Sequence, residues 1–144
     1  MSKHYLVDNI YVITVGDEWQ KVEEGDRFRI YMENEKERMI LALSNYNGEG
    51  KKPPITEIEA IVDDMFADLG EEYEPCKDKE VTSSYIYQGF KHGDDYEYYL
   101  FTVVDSVDGN HLLINLHLMD GLCDYNPDRK DLLIGIMTSI EILS

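Results

Sequence analysis

His111, Asn115 and His117 alternate along one apolar stretch, so they share a face of an extended strand, with Asp105 or Asp108 just across a tight turn. Imidazoles beside carboxylates suit a transition metal. His111 and His117, however, stand about 20 Å apart along a strand. That is too far for one ion without a bulge, and they read as polar residues of a partly exposed sheet face. Asp94-Asp95 with Glu97, Asp63-Asp64 and Glu71-Glu72 offer oxygen ligands. None of them sits in the D-x-D-x-D-G loop with its late Glu that holds calcium, so they read as solvated charge. No metal and no cofactor is expected.

Nucleophilic chemistry needs an activated Ser or Cys beside a positioned base. The sequence has no G-x-S-x-G, no P-loop and no G-x-G-x-x-G, and Gly48-Glu49-Gly50 before Lys51 is too short a glycine loop. Cys76 and Cys123 form neither a CxxC nor a zinc spacing. A pair of reduced thiols is expected rather than a disulfide. No catalytic residue is expected, and a non-enzymatic role is.

The tyrosines carry more. The chain has 11 of them. Tyr85 and Tyr87 share one strand face, Tyr96 and Tyr98 share another, and Tyr99 points the opposite way. Beside Asp94 and Asp95 these rings could form a surface that binds a protein, because tyrosine gives large contact area at low entropic cost. The plainer alternative packs the rings under helices with hydroxyls reaching the rim. Tyr85, Tyr87, Tyr96, Tyr98, Asp94 and Asp95 are therefore the expected partner-binding residues.

Charge sets the kind of partner. Over 144 residues, 13 Lys and Arg face 30 Asp and Glu, a net charge of −17. Residues 1–55 carry 8 basic and 10 acidic side chains, and residues 56–144 carry 5 and 20, so nearly all the excess lies in the second part. A nucleic-acid binder must neutralise phosphates, and the longest basic feature is Lys51-Lys52. Nucleic acid and anionic membranes are excluded as partners, and a basic protein is permitted. Charge kept for solubility alone is the alternative. No stretch approaches the roughly 18 apolar residues of a membrane helix. No signal peptide is visible, so a cytoplasmic location is expected. The oligomeric state stays open.

The elements that must position these residues follow from periodicity. The length suits one domain. Tyr5 to Val15, broken by Asp8-Asn9, is rich in strand formers. Trp19 sits where an indole plugs a core edge. After a turn at Glu24-Gly25-Asp26, Arg27 to Met32 alternates, with Phe28, Ile30 and Met32 on one face. Arg38 to Ser44 completes a hairpin, and Asn45 to Pro54 reads as a loop. Thr56 and Glu59 fit a capping box. Ile58, Ile61, Val62, Met65, Phe66 and Leu69 form one helical stripe, ended by Gly70. The opposite face is wholly acidic, so packing must hold that helix.

Val81 to Phe90, Tyr96 to Ser106 and His111 to Met119 read as three strands, the last two joined at Asp108-Gly109-Asn110. Leu112, Ile114, Leu116 and Leu118 share a face. A terminal helix starts at Asn126-Pro127-Asp128, with a stripe from Leu132 to Leu143. Gly135 within it suggests close approach to another backbone. The expected order is β-β-β-α-β-β-β-α: an α+β fold with an antiparallel sheet of about six strands and two helices packed on it.

Hairpins preceded by Trp19, one helix at Thr56 to Leu69, a meander from Val81 to Met119 and a last helix carrying Thr138-Ser139-Ile140 resemble the Mog1/PsbP-like superfamily. The resemblance covers nearly the whole chain by element order. Glu18-Trp19 stands where members often show Gly-Trp. The superfamily includes small bacterial domains and type VI secretion adaptor chaperones, so the resemblance implies a bacterial adaptor or other interaction module. A small acidic protein-binding module is the expected function. A toxin-neutralising immunity protein is the alternative, since an acidic face can plug a basic active site. An enzyme of unrecognised type is the third reading.

Overall fold

The computed structural model describes residues 2–7, 10–22, 29–76, 79–121 and 124–143. Asp8-Asn9, Glu24-Gly25-Asp26, Arg27, Phe28 and Cys123, named above, lie outside the described residues, and with Cys123 the question of a disulfide.

A hairpin of β1 (Ser2–Val7) and β2 (Tyr11–Gly16) opens the chain. Strands β3 (Gln20–Val22), β4 (Arg29–Asn34) and β5 (Met39–Gly48) form a meander that leads into helix α1 (Ile55–Ala67). Then come β6 (Tyr73–Pro75), β7 (Glu80–Val81), β8 (Ile86–His92), β9 (Asp95–Asp105) and β10 (His111–Asp120). Helix α2 (Asp128–Thr138) and β11 (Glu141–Ile142) close it. The large sheet runs β3-β4-β5-β10-β9-β8-β6, with β7 beside β8, and a small sheet runs β1-β2-β11. All pairings are antiparallel. The fold is α+β, with more strands than the expected six and with a second sheet.

The alternation of β10 explains the layering. Leu112, Ile114, Leu116 and Leu118 are buried on one face together with Met32, Leu41, Leu43 and Leu100. Tyr11, Ile13 and Val15 of the small sheet, Leu133 and Ile136 of α2, and Trp19 cover that face. Each fully buried aliphatic chain contributes about 1.5–3 kcal/mol, which makes this cluster the main stabilising unit. On the other face α1 lays Ile55, Ile58 and Val62 over Ile86, Phe90, Tyr99, Phe101, Val103 and Leu113. Phe66 meets Phe90, Tyr99 and Phe101 edge-on at 5.0, 5.6 and 5.7 Å.

Several local expectations are corrected. α1 starts at Ile55 after Pro54 with no side-chain cap, so Thr56 lies inside the helix instead of capping it. Pro54 stands at the N-cap, and its carbonyl oxygen accepts from the Glu57 N–H at 3.0 Å. Ile61 is half exposed, because the stripe is wider than the strip of sheet it meets. Gly70, at φ 98°, does lie just past the helix end. The acidic face of α1 is answered by Lys79 from the following connector. Its Nζ lies 3.1 Å from both Glu59 and Asp63, and those bonds raise its pKa. A repulsive i, i+4 pair thus becomes a bridged one.

Strand β5 extends to Gly48, which pairs with His111, where a loop was expected from Asn45. Val81 to Phe90 divides into β7 and β8 around a turn in which Thr82 Oγ1 accepts from the Tyr85 N–H at 3.0 Å. α2 ends at Thr138, and the expected last turn gives way to β11, with Ile140 and Leu143 on either side of it. Ser139 makes the break: its Oγ donates to the Ile136 carbonyl at 2.6 Å and accepts from the Thr14 N–H at 2.9 Å. Gly135 is exposed with nothing near its absent Cβ, so it marks no close approach.

Candidate functional site

The four tyrosines expected on a binding surface share one face of β8 and β9, but that face is the covered one. Tyr85, Tyr87 and Tyr98 are 9%, 0% and 0% exposed, and Tyr96 packs half-buried at the cluster's margin. They form no open surface. The physical reason is that a sheet face this rich in Leu must be covered, and tyrosine's apolar body goes in with it while its hydroxyl finds a partner. Tyr85 Oη donates to Glu80, which Lys130 also binds at 2.8 Å. Burial, with the Glu80 carboxylate, pushes the Tyr85 phenol up to about 12. Tyr98 Oη accepts from the Asn126 N–H at 2.9 Å. Burial pushes that phenol up to about 12 as well, with Asp120 adding to it and Arg129 opposing. Asp94 and Asp95 are exposed where β8 turns into β9.

The opposite face holds the group that composition did not reveal. Glu97 of β9 is 7% exposed and lies between two imidazoles. His117 Nε2 of β10 is 2.6 Å from its Oε1, and His92 Nδ1 of β8 is 3.1 Å from its Oε2. An ionised carboxylate only accepts, so His117 carries a proton on Nε2 and His92 on Nδ1. Burial alone would raise the Glu97 pKa. The bond and charge of His117, the charge of His92 and a bond from Tyr73 outweigh it and hold the carboxyl below the usual glutamate value. Burial and Glu97 in turn raise the Tyr73 phenol. Both rings are stacked, His117 on Tyr99 at 4.1 Å and His92 on Tyr73 at 4.0 Å.

Both carboxylate oxygens are therefore occupied, and the cluster orients two imidazoles more readily than it attacks a substrate. His111 stands apart. Its ring fills the space a Cβ at Gly48 would need, and its Nδ1 is 2.9 Å from the Gly50 carbonyl oxygen. Among the described residues no three His, Cys, Asp or Glu are grouped to hold a metal ion.

Register places a second set beside the cluster. Glu33, Ile40, Met119 and Glu97 form one cross-strand row over β4, β5, β10 and β9. Tyr31, Ala42, His117 and Tyr99 form the next row. α1 packs on the β8–β9 half of this face, and on the β4–β5 half Ala42 and Ser44 are buried. Ile40 and Tyr46 are 41% and 43% exposed there, and Tyr31, Glu33 and Met119 are half-buried. Two apolar side chains thus lie between two carboxylates, next to an aromatic ring and an imidazole. A lysine or arginine side chain matches this pattern: stem on Ile40 and Met119, head to Glu33 or over Tyr31.

No protein-family model matches the chain, and no curated protein does. Its fold is similar to that of a protein of Bacteroides thetaiotaomicron VPI-5482 with a crystal structure at 1.50 Å resolution, at a TM-score of 0.56 and 9% identity. The likeness covers 99% of this chain and 48% of that one, so the chain spans about half the length of its neighbour. It shows the fold alone. Among the described residues no helix is long and apolar enough to cross a membrane.

Proposed function

We propose that this chain is a non-enzymatic protein-binding module, an adaptor or chaperone, that takes a basic protein on the β4–β5 half of the large sheet, around exposed Ile40 and Tyr46. The observation that carries the reading is the cross-strand row Glu33–Ile40–Met119–Glu97, in which Ile40 is exposed, Met119 and Glu33 are half-buried beside it, and the buried Glu97 is already held by His92 and His117. The net charge of −17 supports a basic partner by steering the encounter. Asp94 and Asp95 keep the part expected of them only as steering charges near one end of the row. The resemblance to Mog1/PsbP-like adaptors points the same way, as an analogy of element order.

The test uses the whole chain and its Ile40→Asp variant as baits in native-host extract, at low and high salt. The expected result is one partner of high pI, bound by the wild type, weakened by salt and lost with Ile40→Asp. A partner retained equally by Ile40→Asp, or an acidic partner, overturns the reading. A captured enzyme whose activity collapses on binding would make the module an immunity protein instead of an adaptor.

A further inference from the structure

Strand β9 runs past its neighbour. β8 begins at Ile86, opposite Phe101, so Thr102 to Asp105 pair with β10 alone. The Ser106 N–H donates to the Asn110 carbonyl across the hairpin. By antiparallel parity, the backbone groups of Thr102 and Val104 then point toward β10, and those of Val103 and Asp105 point away from it. A cleft of about 480 Å³ opens at this free edge. Pro53, Pro54 and Ile55 line it from the α1 side, Met137 and Ile140 from the α2 side, and Ser84 from the β7–β8 turn.

We propose that this cleft is a strand-addition site, taking a short extended peptide of a partner protein that is apolar at alternate positions. Backbone groups of Val103 and Asp105 define an extended chain as the occupant, since only another strand's backbone matches their spacing. Successive side chains of such a strand point to opposite faces, and the cleft has one apolar wall on each. The open stretch is about 13 Å long, enough for some four residues. The charge of the lining selects further. Lys52 is the one charged side chain of the cleft lining, and the Asp105 carboxylate at the end of the edge already accepts from the Lys52 N–H at 2.8 Å. A basic peptide is not favoured here, and an uncharged one, or one with an acid near Lys52, is. This site is independent of the sheet-face row described above.

The test pans a phage-displayed library of random peptides on the whole protein and maps the enriched peptide by amide NMR. The expected winners alternate apolar residues and carry few Lys or Arg. They shift and slow the exchange of the Val103 and Asp105 amides, and they lose binding to Val103→Pro. Because that variant can disturb the edge itself, Ile140→Lys, at the α2 wall, is the second one, with an expected loss of about tenfold or more. No enrichment overturns the proposal. So do peptides that bind Ile140→Lys as well as the wild type, and so do shifts centred on Ile40 and Tyr46. Empty panning beside a basic partner lost with Ile40→Asp would overturn this site and leave the sheet-face reading standing.

Discussion

Replacing Arg129 by Met should be among the most damaging single changes in the protein. Arg129 opens α2, and its Nε lies 2.9 Å from Oδ2 of Asp120 at the end of β10. The Asp120 side chain is fully buried, and that of Arg129 is 11% exposed. Arg129→Met strands a buried carboxylate without its cation, which costs about 3–5 kcal/mol. For a domain of this size that lowers Tm by about 10–15 °C. Asp120→Asn is the milder break. Arg129 keeps some water and a second carboxylate, Glu37 at 3.8 Å, so the loss is about 1–2 kcal/mol. The double variant should recover much of the Arg129→Met loss, because a neutral pair removes the uncompensated charge. Urea unfolding of the four proteins measures all three figures. An Arg129→Met loss below about 1 kcal/mol, or an Asp120→Asn loss larger than it, would refute the claim that this ion pair fastens α2 to the sheet.

Glu97 should leave a signature at acid pH. Its native pKa is depressed, so its contribution to stability is complete above about 4.3 and is lost as pH falls through the native value. The acid limb of stability against pH should therefore flatten in Glu97→Gln; parallel limbs in urea titrations would contradict this. Two glycine replacements should have opposite signs. Gly48→Ala pushes a methyl into the His111 ring and should cost about 1–3 kcal/mol. Gly135→Ala fills open space in a helix interior and should gain about 0.5–1 kcal/mol. Matching midpoint shifts in the same direction would show that one environment is misassigned. Tyr98→Phe removes the acceptor of the Asn126 N–H and should cost about 1 kcal/mol by chemical denaturation.

Much of the large sheet was legible because its signals are local. Leu112 to Leu118 alternate, the Gly109 turn fixes the register of β9 on β10, and that register places Tyr99 opposite His117. The stripe Ile58, Val62, Phe66 marks α1 directly. Of the small sheet, β1 and β2 were legible in the strand formers from Tyr5 to Val15, but β11 was not, because Ile140 and Leu143 continue the helical period of α2 and the Ser139 bonds to β2 end it. The tyrosine face failed for a related reason: alternation shows which residues share a face but not which face a distant element covers. Tyr73 reached the Glu97 cluster through β6, a three-residue strand containing Pro75, which carries almost no pattern. The open edge at Val103 depends on where β8 begins, and the Thr82 turn sets that point.

We propose a basic partner on the β4–β5 half of the large sheet. Photo-crosslinking in the native host tests it most directly, with a photoreactive phenylalanine derivative placed at Ile40, at Tyr46, or at Val107. Val107 is 68% exposed within the β9–β10 turn and serves as the control. The expected result is one adduct with a protein of high pI from positions 40 and 46 and none from 107. Adducts from 107 with none from 40 or 46 would contradict it.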